Sequence, residues 1–330
     1  MKPFLTSLTL MIAAGNLVAQ DNASQGIDGL RVSLQNLFYT KVQFGVGSGT
    51  QGNPGDPIPG IDHFYDDGFV RVDDTGNFGN LTTFWGYEYA SQVQGDTGSQ
   101  TMAFHSLQPA PVPPGTLGSQ ELEHLPGLEV QAFHLFGEKD GRQLGLEAGI
   151  GFFARSQKHS GETGLIAVRD SYDANLPALP QPGYSGTPDD TSPYLLGDIP
   201  ARTTLGGTGT WDFDVNLWTL RAGLFTAVLI NDHFTVSLHG GALITIAKGS
   251  LSFSETYSDV PYEGKASDTS ILLGGYAGIS MTYQLLPDLG LFLGCQYQRH
   301  EDFRVEAHGR QATLDLSEAL LGQLGMEYKF

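Results

Sequence analysis

Along much of the chain, apolar and polar residues alternate with a period of two, the signature of strands with one greasy and one polar face. In the first run, Val32, Leu34, Phe38, Val42, Phe44 and Val46 are interleaved with Arg31, Ser33, Gln35, Tyr39, Lys41 and Gln43. In 142–155, Leu144, Leu146, Ala148, Ile150 and Phe152 oppose Gly145, Glu147, Gly149 and Gly151. Comparable runs occupy 126–138, 211–230, 233–254, 267–285, 289–304 and 312–330, and weaker ones 79–92 and 99–107. The run 211–230 exchanges its faces near Leu217 and Trp218, which predicts a β-bulge. At the end of the chain Leu320, Gly322, Leu324, Met326, Tyr328 and Phe330 share one face, and Gln323, Gly325, Glu327 and Lys329 the other.

These runs predict about ten spanning strands, with eight or twelve as alternatives. Tight turns are expected at Gly95-Asp96-Thr97-Gly98, Lys139-Asp140-Gly141, Asn231-Asp232 and Pro287-Asp288, and longer links at 47–78, 108–125, 156–210, 255–266 and 305–311. Short and long links therefore alternate, as an up-and-down barrel requires when both its ends lie on one side. The last strand is expected to close the sheet against Val32–Val46. A soluble sandwich would also alternate, but its strands average about 5–6 residues, and several runs here are far longer.

No stretch of about 18 consecutive apolar residues follows the N-terminal segment, which excludes helical membrane spans. The mean hydropathy of −0.14 fits a barrel, whose lumen and loops are polar. The terminal strand resembles the closing strand of small Gram-negative outer-membrane β-barrels, OmpA-like or porin-like. Their terminal Phe, with Tyr two residues before it, is read by the barrel-assembly machinery. The resemblance is to a broad class, and it implies an all-β, antiparallel, up-and-down transmembrane barrel with short periplasmic turns and long extracellular loops. It also implies an outer-membrane location, lipid and the assembly machinery as partners, and Tyr328 and Phe330 as the assembly signal. Residues 1–19, with Lys2, the apolar stretch from Phe4 to Ala14, and Leu17-Val18-Ala19, read as a secretory signal peptide. That leaves 20–330 as a single barrel domain, expected to be monomeric. The single Cys295 falls on an outward apolar face and has no partner for an internal disulfide.

A net charge of −19, from 36 acidic and 17 basic residues, argues against nucleic acid as a partner and favours cations. Glu147, Arg221 and His239 fall on polar faces and are expected in the lumen, as are Glu129 and Glu327. There they must pair, because an unpaired buried charge costs several kcal/mol. About ten strands would leave at most a thin hydrated pore. The leading expectation is a narrow, cation-preferring pore for small ions or solutes, or a structural surface protein. The alternative is an adhesin or ligand- or cation-binding barrel acting through the long acidic loops at 47–78 and 156–210.

One acidic segment suggests a cofactor. Asp66, Asp67, Asp73, Asp74 and Asn77 offer oxygen ligands for calcium. The segment lacks EF-hand spacing, which favours the plainer reading of a solvated acidic turn. No catalytic residue is assigned and an enzyme is not expected. Ser237 and His239 stand about 7 Å apart along one strand, beyond hydrogen-bond reach. Asp232-His233 falls in a periplasmic turn, His134 lies only near the inner face, and neither a Gly-x-Ser-x-Gly elbow nor zinc spacing occurs. Phe84, Trp85, Tyr87 and Tyr89, and elsewhere Trp211, Trp218, Tyr297 and Tyr328, are expected in interfacial aromatic girdles.

Overall fold

A computed structural model describes residues 27–46, 54–58, 61–71, 84–96, 99–109, 118–122, 124–139, 141–174, 180–187, 196, 200–257 and 260–330. The expected signal peptide and Asp73, Asp74 and Asn77 lie outside the described residues. The strands in chain order are β1 (Gly29–Phe38), β2 (Thr40–Val46), β3 (His63–Tyr65), β4 (Gly68–Val70), β5 (Trp85–Tyr87), β6 (Val93–Gln94), β7 (Gln100–Pro109) and β8 (Gly118–Leu122). They continue with β9 (Leu125–Lys139), β10 (Arg142–Ala174), β11 (Ala201–Leu229), β12 (Phe234–Tyr257), β13 (Val260–Leu286), β14 (Leu289–His300), β15 (Phe303–Ala307), β16 (Arg310–Asp315) and β17 (Ala319–Lys329).

Strands β1, β9, β10, β11, β12, β13, β14 and β17 form a closed antiparallel ring. The closing pair is the expected one, with Val32 opposite Met326 and Leu34 opposite Leu324. The ring has eight strands, at the lower end of the expected range. The two weak runs account for the lower count, and the first run is shorter in the ring than expected. The first run breaks at Tyr39, whose φ of 62° turns Thr40–Val46 out of the ring. The weak runs at 79–92 and 99–107 never enter it, since β7 pairs instead with the far end of β10, Leu165 opposite Pro109 through Ala174 opposite Gln100. The tight turn at Gly95 accordingly joins β6 to β7 and not two ring strands. The turns β9–β10, β11–β12 and β13–β14 are short and share one end with Asp28, whose carbonyl accepts from the Phe330 amide (3.0 Å).

The segment 156–210, expected as one loop, is mostly strand. β10 and β11 stay paired from Arg142 opposite Val228 to Ser171 opposite Ala201, with one register shift between Glu162 and Ile166. The extension reads as loop in the sequence because its outward residues become polar. Outward positions Leu146, Ile150 and Phe152 on β10 give way to Ala154, Ser156 and Lys158, while the inward face gains Phe153. On β11 the outward residues pass from Leu224, Leu220 and Trp218 to Asn216, Asp214 and Asp212, and the inward ones from Arg221 and Thr219 to Leu217, Val215, Phe213 and Trp211. Side-chain direction never changes through this stretch, and both neighbouring strands keep unbroken register across Leu217 and Trp218. The exchange of faces is therefore an inversion of polarity and not the expected bulge.

The inversion occurs at one level across the ring. Phe152 is opposite Trp218, Trp218 opposite Ile246, and Ile246 opposite Ile271. Below this line, exposed Leu144, Leu224, Leu238, Ile279, Leu293 and Leu324 make an apolar belt around the ring. From Ile271 to Tyr283 the belt rises about 30 Å on a strand tilted by roughly 40°, the height of a bilayer core. Above the line the four tall strands β10–β13 face a second sheet of order β15-β16-β2-β8. Between them lies an apolar core including Phe44, Phe153, Trp211, Phe213, Phe303 and Leu314. Trp218, Tyr297 and Tyr328 are exposed on the belt as expected of a girdle, whereas Trp211, Trp85 and Tyr87 are buried above it.

Gly223 and Gly241 are direct partners on β11 and β12, and a Cβ on Gly241 would lie 2.2 Å from the Ala222 carbonyl oxygen. Gly241→Val should destabilise the barrel by about 1–3 kcal/mol or more through forced overpacking. Urea unfolding of refolded protein, read by heat-modifiable gel migration, checks this.

Candidate functional site: a packed lumen beneath an external platform

Below the line of inversion the lumen is filled by hydrogen-bonded charge. Each ring strand brings its inward positions to a common level, and the facing glycines Gly145, Gly149 and Gly151 leave room for long side chains from opposite walls. Arg31 on β1 contacts Glu327 on β17 through Nε (2.7 Å) and approaches Glu147 on β10 through Nη1 (3.8 Å). Arg221 on β11 contacts Glu129 on β9 through Nε (2.6 Å) and donates to Gln296 (2.6 Å) and Gln131 (2.8 Å). Glu129 also accepts from Gln35 and from Gln323 (2.9 Å), and Tyr276 donates to Glu147 (2.8 Å). His239 reaches Glu147 through Nδ1 (2.7 Å) and Ser280 through Nε2 (2.6 Å). Glu147, Arg221 and His239 thus meet in one network. Its other charged members, Arg31, Glu129 and Glu327, come from strands whose alternation is visible in the sequence. Which of them pair follows only from ring closure.

The Ser280–His239–Glu147 arrangement, which no spacing along the chain marks, has the connectivity of a hydrolase relay. Its serine is 5% exposed and sits within the packed lumen. Ser237 makes no part of it. His134 sits half-exposed beside Asp28 (2.8 Å), outside the lumen, and Asp232 and His233 are exposed in the β11–β12 turn.

Above the polar layer, the apolar core closes the barrel a second time. Leu37, Leu125, Phe153, Leu217, Leu272 and Leu321, all at most 3% exposed, cover the charged network from the extracellular side. Charged and apolar side chains thus occupy the interior in two successive layers.

The outermost layer is a platform built on the tips of β10 and β11. Its core contains Tyr65, Trp85, Tyr87, Met102, Phe104 and Tyr172. Asp170 accepts both Arg202 Nε (2.7 Å) and Nη2 (2.6 Å), together with the Tyr65 hydroxyl (2.8 Å). Burial and the Asp170 charge push the Tyr65 and Tyr172 hydroxyl pKa values well above the ordinary range, so both remain donors. The two described calcium candidates lie in the β3–β4 turn and are engaged otherwise. Asp67 accepts from the His105 amide and from His105 Nδ1, both at 2.7 Å, and Asp66 accepts from the Leu107 amide (2.8 Å). Among the described residues no group of three His, Cys, Asp or Glu side chains is arranged to hold a metal. The acidic pair is a clamp on β7, which the sequence alone could not reveal because its partner is remote.

A closed ring that turns an apolar belt outward and pairs its charges inside satisfies every backbone group in lipid. The chain is a transmembrane β-barrel of the outer-membrane type. No family model matches the sequence, and no curated protein matches it. Among solved structures, the chain is similar to the outer membrane protease OmpT from Escherichia coli at 10% identity, covering 94% of this chain and 99% of that one with a TM-score of 0.38. It is also similar to Ail, the attachment invasion locus protein of Yersinia pestis, at 9% identity over 92% of this chain and 100% of that one, TM-score 0.30. Neisserial surface protein A is similar at 10% identity over 93% and 100%, TM-score 0.29. At these identities and scores the likenesses say nothing about activity.

Arg221→Met should cost about 3–5 kcal/mol, because it leaves the Glu129 carboxylate buried without its cation. Adding Glu129→Gln should recover at least half of that loss. Equilibrium unfolding of the two variants in detergent measures both quantities.

Proposed function

We propose that this protein is a non-conducting outer-membrane barrel whose task is to display its folded extracellular platform as a binding surface. The observation that carries this reading is the doubly filled lumen. The charged network occupies the membrane level, and the apolar core lies across the exit above it. A pore of either ion preference would need a continuous wet path through both layers, and a barrel of about eight strands is just filled by its own side chains. On the same reading, residues 1–19 direct export by the general secretory route, Tyr328 and Phe330 serve barrel assembly, and the protein works as a monomer in the lipid. The platform then takes the role expected of the acidic outer loops, as a rigid β-layer.

Planar-bilayer recording tests the proposal. The refolded protein should give no discrete conductance steps. The Arg31→Ala/Arg221→Ala variant should also stay silent, because the apolar layer remains. Reproducible ohmic steps from the unmodified protein would reinstate the pore.

The protein is proposed not to be an enzyme, and the buried relay permits a direct check. A serine-directed fluorophosphonate should leave the folded protein unlabelled. Labelling that disappears in Ser280→Ala would instead make the barrel a hydrolase.

A further inference from the structure

One feature unused by this reading is a cavity of about 600 Å³ on the extracellular side. Its walls come from separate parts of the fold: the β3–β4 turn (Asp66, Asp67), the 3-10 turn at Ala90–Gln92, β7 (His105), β12 (Phe253), β13 (Tyr262) and the β15–β16 turn (Arg310). The volume lies within the range of small-molecule sites, about 300–1,000 Å³.

The lining is mixed in polarity, with Ser91, Gln92 and Gln94 beside Asp66, Asp67 and His105. His105 has a side chain only 4% exposed, and its Nδ1 lies 2.7 Å from Asp67 Oδ2. A carboxylate accepts, so Nδ1 donates to it, and in the imidazole tautomer with its proton on Nδ1 the other nitrogen, Nε2, presents a lone pair. His105 Nε2 is buried without a hydrogen-bond partner, and so is Asp66 Oδ1 on the adjoining turn. Burial raises the Asp66 carboxyl above its ordinary pKa range, so a positive neighbour would relieve it. Arg310 offsets part of that rise through its charge but makes no hydrogen bond to Asp66. Its guanidinium is directed to Glu255 (Nη2 to Oε2, 2.5 Å) and to the His308 carbonyl, and it lies 4.6 Å over the Phe253 ring. Tyr89, Tyr262, Leu107 and Leu165 add aromatic and apolar wall, and Glu263 and His308 further polar wall.

We propose that this cavity binds a small organic cation, an ammonium, amidinium or guanidinium group on an apolar body, with its N–H groups donating to His105 Nε2 and Asp66 Oδ1. Charge-assisted hydrogen bonds to a desolvated carboxylate are the strong kind, and a cation seated against an aromatic face gains further attraction. The same chemistry belongs to a free amine or to a basic side chain on a peptide. The inference does not depend on whether the barrel conducts.

Calorimetry on the refolded full chain tests it, with benzamidine as the free cation, benzamide and benzoate as its neutral and anionic counterparts, and acetyl-Ala-Arg-Ala-amide as the peptide. Benzamidine or the peptide should bind, the tighter of the two naming the source, and benzamide and benzoate should bind at least tenfold more weakly. Asp66→Asn should lower the affinity for the cation at least tenfold. Equal affinity for benzamide, preference for benzoate, or no heat with either cation would overturn the assignment. A second readout stands if Asp66→Asn disturbs the turn. In ¹⁵N-histidine spectra of the otherwise unmodified protein, benzamidine should shift a single Nε2 signal, the one missing from His105→Gln. Absence of that shift would equally overturn it.

Discussion

A single constraint organises this molecule: four of the eight ring strands, β10–β13, run from lipid into water without leaving the sheet, and the rule for what may face outward reverses where they do. In lipid the outside must be apolar and charges can only be accommodated within, paired across the lumen. In water the outside must be polar and the inside becomes an ordinary hydrophobic core. The line of paired residues Phe152, Trp218, Ile246 and Ile271 is where one requirement hands over to the other. Everything above and below follows from it, including the ion pairs of Arg31 and Arg221 beneath and the Phe153, Trp211 and Phe213 core above.

This arrangement also decides how the two halves depend on each other. The charged layer is enclosed by ring strands at its sides and by apolar side chains on top, so its members are paired with one another across the lumen. The short strands β14, β17, β1 and β9 stop near the boundary, and the sheet β15-β16-β2-β8 continues the wall where they end. Breaking β1 from β2 at Tyr39 is what releases a strand for that task. A barrel of uniform height would have left the apolar inner faces of β11 and β12 open to water.

Much of the membrane half was legible in the sequence, because a period of two with apolar residues on one face has one meaning there. The pairing of Val32 with Met326 and the inward placement of Glu147, Arg221 and His239 follow from that alternation and closure. The external half was misread for a physical reason. Past Phe152 the polar residues Ser156 and Lys158 face water, so the same strand looks like a solvated loop. At Trp218 the inversion imitated a bulge. Asp66 and Asp67 stood out as an acidic turn, but their meaning lay in His105 and Leu107, on a strand that sequence proximity does not supply. The cavity beside them was invisible for the same cause, since its walls are drawn from segments between Asp66 and Arg310.

Continuity of the tall strands has a mechanical consequence. β10 runs through 33 residues and β11 through 29, joined side by side from the periplasmic turn to the tip. Beyond Phe152, β10 continues for roughly 50 Å of axial height at about 3.3 Å per residue on a tilted strand. A pull on the platform along the membrane normal therefore loads many backbone hydrogen bonds in shear at once, on both sides of the register shift between Glu162 and Ile166. Among the described residues that shift is the place where the β10–β11 ladder between root and tip is locally weakest, so tension applied at the tip passes through it before reaching the lipid-embedded ring.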